Sequence, residues 1–79
     1  VWSILIKLTH DLIAQSRVIA KGERIREVKR LVNMYGGRNS KWVKKSSPEV
    51  VDSDGAVYEF HWYECYGIGI LEIKRKKVS

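Results

Sequence analysis

The sequence predicts an α+β domain in which N-terminal helices pack on one face of a small twisted antiparallel sheet. Apolar residues recur at helical spacing in the first half of the chain, and the spacing changes to alternation after Gly36 and Gly37. A chain of 79 residues buries about 60% of its unfolded surface, which is enough for one core. We therefore expect a single domain over residues 1–79, helical over about 1–37 and a sheet over about 38–79. Because the chain begins at Val1 rather than Met, we expect it to be a piece of a larger polypeptide.

Two amphipathic helices, or one bent helix, are predicted to open the domain. The first apolar face runs over residues 3 to 20, and Gly22 is a plausible end for that helix. The second covers ERIREVKRLVNMY, after which Gly36 and Gly37 break the pattern.

Three segments after the glycines predict strands. The first candidate is the short segment KWVKK, which is followed by turn signals at Pro48 and DSDG. The other two are VYEFHWYEC and IGILEIKRK, whose side chains fall alternately on two faces. Two registers of the last two strands are open. A tight turn at Tyr66 and Gly67 sets His61 opposite Glu72, and a loop two residues longer sets it opposite Lys74.

Both registers predict the same two faces for this hairpin, because a shift of two residues preserves alternation. The apolar face is expected to be covered by the helices and holds Phe60, Trp62, Leu71 and Ile73. The opposite, open face is expected to hold His61, Tyr63, Glu72 and Lys74.

The charge distribution favours a polyanionic partner such as nucleic acid. Fifteen Lys and Arg against nine Asp and Glu give a net charge of +6, and residues 38 to 48 contain four cations and no acid. A basic stretch with an aromatic can bind phosphates and stack on an unpaired base, although a solvated strand edge has the same composition. The predicted RNA-binding residues are Arg38, Lys41, Trp42, Lys44, Lys45 and Arg75.

The open face carries residue types that could cleave RNA without a metal. That reaction needs a base for the 2′-hydroxyl, an acid for the leaving oxygen and cations for the phosphate. We assign proton transfer to His61, phosphate stabilisation to Lys74, orientation of His61 to Glu72 and positioning to Tyr63. Glu72 and Lys74 could equally be ordinary cross-strand charge partners.

The sequence does not indicate a disulfide-stabilised, metal-binding or membrane-spanning domain. Cys65 is the only cysteine and cannot form an internal disulfide, no Cys/His spacing matches a metal site, and no cofactor is predicted. The early apolar run ILI is far shorter than the roughly 18 residues that a membrane-spanning helix needs, so we expect no membrane binding by this domain.

The motifs GGRNSKWVKK, YEFHWYE, GIG and LEIKRK, over residues of about 36 to 77, resemble the C-terminal ribonuclease toxin domains of bacterial contact-dependent inhibition and related polymorphic toxins. These have a barnase/EndoU/colicin/RelE type of fold. The resemblance implies an RNA-cleaving antibacterial domain, commonly a tRNase, delivered as the tail of a large surface or secreted protein and acting in the cytoplasm of the target cell. It also implies a cognate immunity protein and, in some members, a translation elongation factor. His61 and Lys74 match the local pattern.

Two alternatives stay open. A basic nucleic-acid-binding module without catalysis would use the same cations but tolerate the loss of His61. A protein-interaction domain would dock a partner through its aromatic hairpin and bind RNA weakly.

Overall fold

The computed structural model describes residues 8–79 and confirms the predicted α+β class. Two short 3₁₀ turns, Gly22–Arg24 and Asn39–Lys41, connect the regular elements. In chain order these elements are α1 (His10–Ala14), β1 (Arg17–Lys21), α2 (Val28–Tyr35), β2 (Trp42–Ser46), β3 (Val50–Val51), β4 (Val57–Cys65) and β5 (Gly69–Lys77).

The five strands form one antiparallel sheet with β4 at its centre. Strands β2 and β3 pair with successive parts of β4, and β1 pairs with the outer edge of β2. Strand β5 follows β4 over its whole length on the opposite edge. The DSDG turn joins β3 to β4 and is closed by a bond from the Asp52 N–H to the Ala56 carbonyl at 2.8 Å.

The predicted first helix is wrong over its second half. Helix α1 ends at Ala14, and residues 17–21 form the edge strand β1. Val18 and Ile19 are β-branched and favour a strand, and pairing with β2 satisfies the backbone groups there. Gly22, predicted to end that helix, instead starts a 3₁₀ turn with a φ of 57°. Residues 1–7, where the predicted helix begins, lie outside the described residues.

Helix α2 lies within the second predicted helix and covers one face of the sheet. It ends at Tyr35, where Gly36 takes a φ of 96° and its N–H bonds to the Val32 carbonyl at 2.8 Å. The cluster under this helix contains Ile25, Val28, Leu31, Trp42, Tyr63 and Cys65, with Leu71 packed against it. The hydrophobic core therefore joins α2 to β2, β4 and β5.

The β4–β5 register matches neither prediction throughout. Near the three-residue link, Cys65 lies opposite Gly69 and Tyr63 opposite Leu71. Beyond an irregularity between His61 and Tyr63, His61 lies opposite Lys74, as in the longer of the two predicted registers. Two residues of β5 therefore fall where one is expected, which defines a β-bulge.

The bulge and the helix correct the predicted faces. Leu71 lies with Tyr63 and packs on the α2 core, whereas the prediction grouped it with Phe60 and Trp62. Since α2 covers Tyr63 and Cys65, the helix packs on the face that carries His61. The prediction that the helices cover the other face is therefore wrong. Phe60 and Trp62 are buried separately from this cluster.

Candidate active site

A cleft of about 330 Å³ opens beside α2 on the helix-bearing face. The four residues predicted to be catalytic all line this cleft, on the face that α2 covers rather than on the opposite face. Strand alternation alone predicts that Glu72 and Lys74 share a side of β5, and the bulge adds Leu71 to the side of Tyr63. The lining residues are Glu27, Lys44, His61, Trp62, Tyr63, Glu72, Lys74, Arg75 and Lys76.

The partner of His61 is Glu59. Strand alternation puts these two side chains on one face of β4, with His61 Nε2 at 3.1 Å from Glu59 Oε1. The Ser46 hydroxyl donates to the same oxygen at 3.3 Å, and Arg17 lies 3.9 Å from the other. The bond from His61 is the main reason that the pKa of Glu59 lies below its usual range. Glu59 is therefore an ionised acceptor beside a half-buried imidazole.

Glu72 does not orient His61, which corrects the predicted role. Its carboxylate is held by Arg30 on α2 through two bonds of 2.8 Å, and by the Tyr35 hydroxyl at 2.8 Å. The bonds from Arg30 and Tyr35 lower the pKa of Glu72 to about 2. Glu72 is also the only residue other than glycine with a positive φ, 57°, among residues 8–79. Its contacts therefore hold the bulge against α2.

Tyr63 links the cleft to the start of α2. The residue is buried, and its hydroxyl donates to Glu27 Oε2 at 3.3 Å. Burial and the nearby Glu27 carboxylate raise the pKa of Tyr63, so the phenol is neutral at physiological pH. Arg30 binds the other oxygen of Glu27 at 2.8 Å and lowers the pKa of that carboxyl. Tyr63 can therefore position a ligand by hydrogen bonding but is a weak acid.

Cations line the cleft from two strands. Lys74 lies opposite His61, and Lys76 lies opposite Glu59 on the same side. Lys44 lies opposite Tyr63 on β2, with Nζ at 5.9 Å from the centre of its ring. These ammonium groups carry positive charge to the region where a phosphate beside His61 would lie.

The predicted RNA-binding residues do not form one surface. Trp42 is fully buried and donates Nε1–H to the Gly36 carbonyl at 3.1 Å, so the prediction that it stacks on a base is wrong. Lys45 lies on the other face and pairs with Glu64 at 3.3 Å. Arg38 and Lys41 are exposed but line neither this cleft nor the cavity next to it.

Arg75 faces a different aromatic side chain. Its guanidinium carbon lies 4.4 Å from the centre of the Tyr58 ring, although the residue also contributes to the cleft wall. Of the six residues predicted to bind RNA, Lys44 and Arg75 are the two that line the cleft.

Three residues of the site escaped the sequence analysis. Glu59 could have been found, because a residue two positions before His61 on a strand must share its face. Glu27 and Arg30 carried no such signal, since their contacts depend on how α2 sits over the bulge.

The described part of the chain provides neither a metal cluster nor a membrane-spanning helix. No group of three or more His, Cys, Asp or Glu residues within 8–79 could hold a metal ion. No helix in the same range is long and apolar enough to cross a bilayer.

Comparison with known proteins gave no match: no protein-family model, curated protein or solved structure is similar to this chain.

Proposed function

We propose that this domain is an endoribonuclease that cleaves RNA, with transfer RNA as the expected substrate, by metal-independent general acid/base catalysis. One observation carries the proposal: a single cleft is lined by an imidazole, a phenol and several ammonium groups, and Glu59 forms a hydrogen bond with that imidazole. These are the groups that phosphodiester cleavage at a 2′-hydroxyl requires.

The chemistry assigns one proton transfer to His61. Attack of the 2′ oxygen on phosphorus forms a 2′,3′-cyclic phosphate and breaks the bond to the 5′ oxygen. The Glu59 carboxylate, 3.1 Å from Nε2, accepts a hydrogen bond from the ring of His61 and orients it. His61 is our candidate donor of the proton that the 5′ oxygen requires. Glu27, an ionised carboxylate in the same cleft, is our candidate acceptor for the proton of the 2′-hydroxyl.

The remaining groups act on the phosphate and the ribose. Lys74, across the strand from His61, stabilises the charge that develops on the non-bridging oxygens, with Lys44 at the other wall. Tyr63 positions the substrate through its neutral hydroxyl. Glu72 acts indirectly, because it fixes the bulge from which Lys74 extends.

The biological setting belongs to the same proposal. We propose that the domain is the toxin part of a surface or secreted protein, acts in the target-cell cytoplasm, and is blocked by a cognate immunity protein. The net charge of +6 favours an acidic inhibitor. A translation elongation factor is a further candidate partner.

The test uses purified domain and total bacterial RNA, with and without elongation factors, analysed on a denaturing gel. We expect a discrete fragment ending in a 2′,3′-cyclic phosphate, lost in His61→Ala and retained in His10→Ala. His10 is a matched control because it is an exposed histidine on α1. Intact RNA under every condition would refute the ribonuclease.

A non-catalytic RNA-binding module is the second candidate. It is favoured by the four consecutive exposed cations at positions 74–77 of β5. Salt-sensitive RNA binding that His61→Ala leaves unchanged, with no cleavage product, would select it.

A further inference from the structure

A second cavity continues the cleft across the face of the sheet. It has a volume of about 440 Å³ and lies between β1, β2 and the segment that precedes α2. Glu27, Lys44 and Tyr63 line both cavities, so the two are joined along a shared wall. Together they form a groove from the β5 bulge to residues 24–26.

The far end of this groove is basic. Arg24 and Arg26 are exposed residues that line the second cavity beside Lys44. The acidic residue of this cavity, Glu27, has its carboxylate bonded to Arg30 at 2.8 Å. Three cations therefore face one carboxylate, and that carboxylate shares Arg30 with Glu72. An anionic ligand is favoured here as it is near Lys74.

The dimensions fit an unpaired nucleotide better than a duplex. Each cavity lies in the range of about 300–1,000 Å³ that holds one small ligand. A duplex keeps its bases stacked inside and offers a convex phosphate surface, whereas a single strand can place successive nucleotides in successive concavities.

We propose that Arg24 and Arg26 form a second phosphate subsite, which holds single-stranded RNA one or more nucleotides away from the phosphate bound at His61 and Lys74. This inference rests on the proposed function, because it takes the first cavity as the cleavage site. It assigns RNA contact to two residues outside the basic stretch of residues 38 to 48.

Salt dependence of binding is the direct test, because each phosphate contact to a single strand contributes about 0.7 to the slope of log Kd against log salt. The probe is a fluorescent single-stranded octanucleotide of random sequence with 2′-O-methyl groups, which cannot be cleaved. We expect Arg24→Ala with Arg26→Ala to reduce the slope by about 0.7, because the subsite holds one phosphate. The control is Lys21→Ala with Lys29→Ala, which removes the same charge from two exposed residues that line neither cavity. It should leave the slope unchanged.

The subsite proposal would be overturned if the salt slope fell equally in both double variants, or if it did not fall in the arginine variant. Melting curves of both variants check that the fold is intact.

Cleavage of the unmodified octamer separates this inference from the proposed function. We expect the arginine variant to raise KM and leave kcat unchanged. If the arginine variant shows the predicted change in slope but the wild-type domain never cuts RNA, the proposed subsite stands and the proposed ribonuclease activity is refuted. If the wild-type domain cuts RNA and the arginine variant has an unchanged KM, the ribonuclease activity stands and the subsite is refuted.

Discussion

Glu72 in the cleft and Glu59 beside His61 each accept bonds from a basic side chain, but the two regions differ in what they can do. Glu72 is bonded by Arg30, which is always charged, and by Tyr35. Glu59 is bonded by His61, and an imidazole is the side chain that most often transfers protons in enzymes. The pair of Arg30 and Glu72 supports the fold, whereas the pair of His61 and Glu59 is our candidate for proton transfer. We therefore assign one pair to stability and the other to chemistry.

The largest expected effect is that of His61→Ala on RNA cleavage. Removal of a general acid or base typically costs about 10²–10⁴ in rate. The half-buried ring is outside the core cluster, so the fold should persist. Cleavage rates of tRNA and far-UV circular dichroism measure the two quantities, with His10→Ala as the control. Full activity in His61→Ala would refute the assignment.

Glu59→Gln is expected to have a smaller effect on the same reaction. The amide can still accept a bond from His61 but loses the negative charge beside the ring, so the hydrogen bond that orients the ring is weaker and the cleavage rate should fall by about tenfold. Glu64→Gln is the matched control, because Glu64 lies on the other face of β4 and pairs with Lys45. Equal rates in the two variants would mean that Glu59 has no role in proton transfer.

Glu72→Gln should mainly lower the thermal stability of the domain, because it weakens the hydrogen bonds from Arg30 and Tyr35. We expect the melting temperature at pH 7 to fall by about 4–8 °C. Since the folded-state pKa of Glu72 is lowered from 4.5 to about 2, its stabilisation is present above pH 4.5 and is lost as the pH falls towards 2.

The gap in melting temperature between wild type and Glu72→Gln should therefore narrow from pH 7 to pH 3. Glu49→Gln, at an exposed position, is the control. A gap that stays constant with pH would contradict the assigned pKa.

Tyr63→Phe is expected to be the mildest change. It deletes a single bond of 3.3 Å to Glu27 and keeps the buried ring. Cleavage should fall by less than about tenfold, because a neutral phenol positions the substrate without transferring a proton. Tyr66→Phe, at a residue that is 98% exposed, is the comparison. A loss as large as that of His61→Ala would instead give Tyr63 a direct chemical role.

The sequence predicted the elements whose apolar residues follow a regular helical or alternating spacing. Strands β4 and β5 and helix α2 followed from alternation and helical spacing, and they account for the grouping of His61, Tyr63 and Lys74. Strand β1 was missed because Val18 and Ile19 also fit an apolar helix face, and their pairing with β2 depends on distant residues.

The bulge could not be predicted from alternation. A residue inserted into one strand reverses the faces of everything beyond it, and Glu72 is not a residue type that suggests a positive φ. The bulge also puts Leu71 on the side of Tyr63, where it packs against the core. Trp42 was misassigned because the basic composition of KWVKK does not show which face of the strand the tryptophan occupies.

The outer edge of β5 has a consequence for solubility. In the described residues β5 pairs with β4 alone, so the backbone donors and acceptors of alternate residues along its nine-residue length face outwards on its free side. Such an edge can template β-sheet growth with other copies of a chain, and runs of lysine oppose this by charge repulsion. The cations at positions 74–77 therefore oppose pairing of copies along this edge. Neutralising them to weaken RNA binding would carry a risk of aggregation.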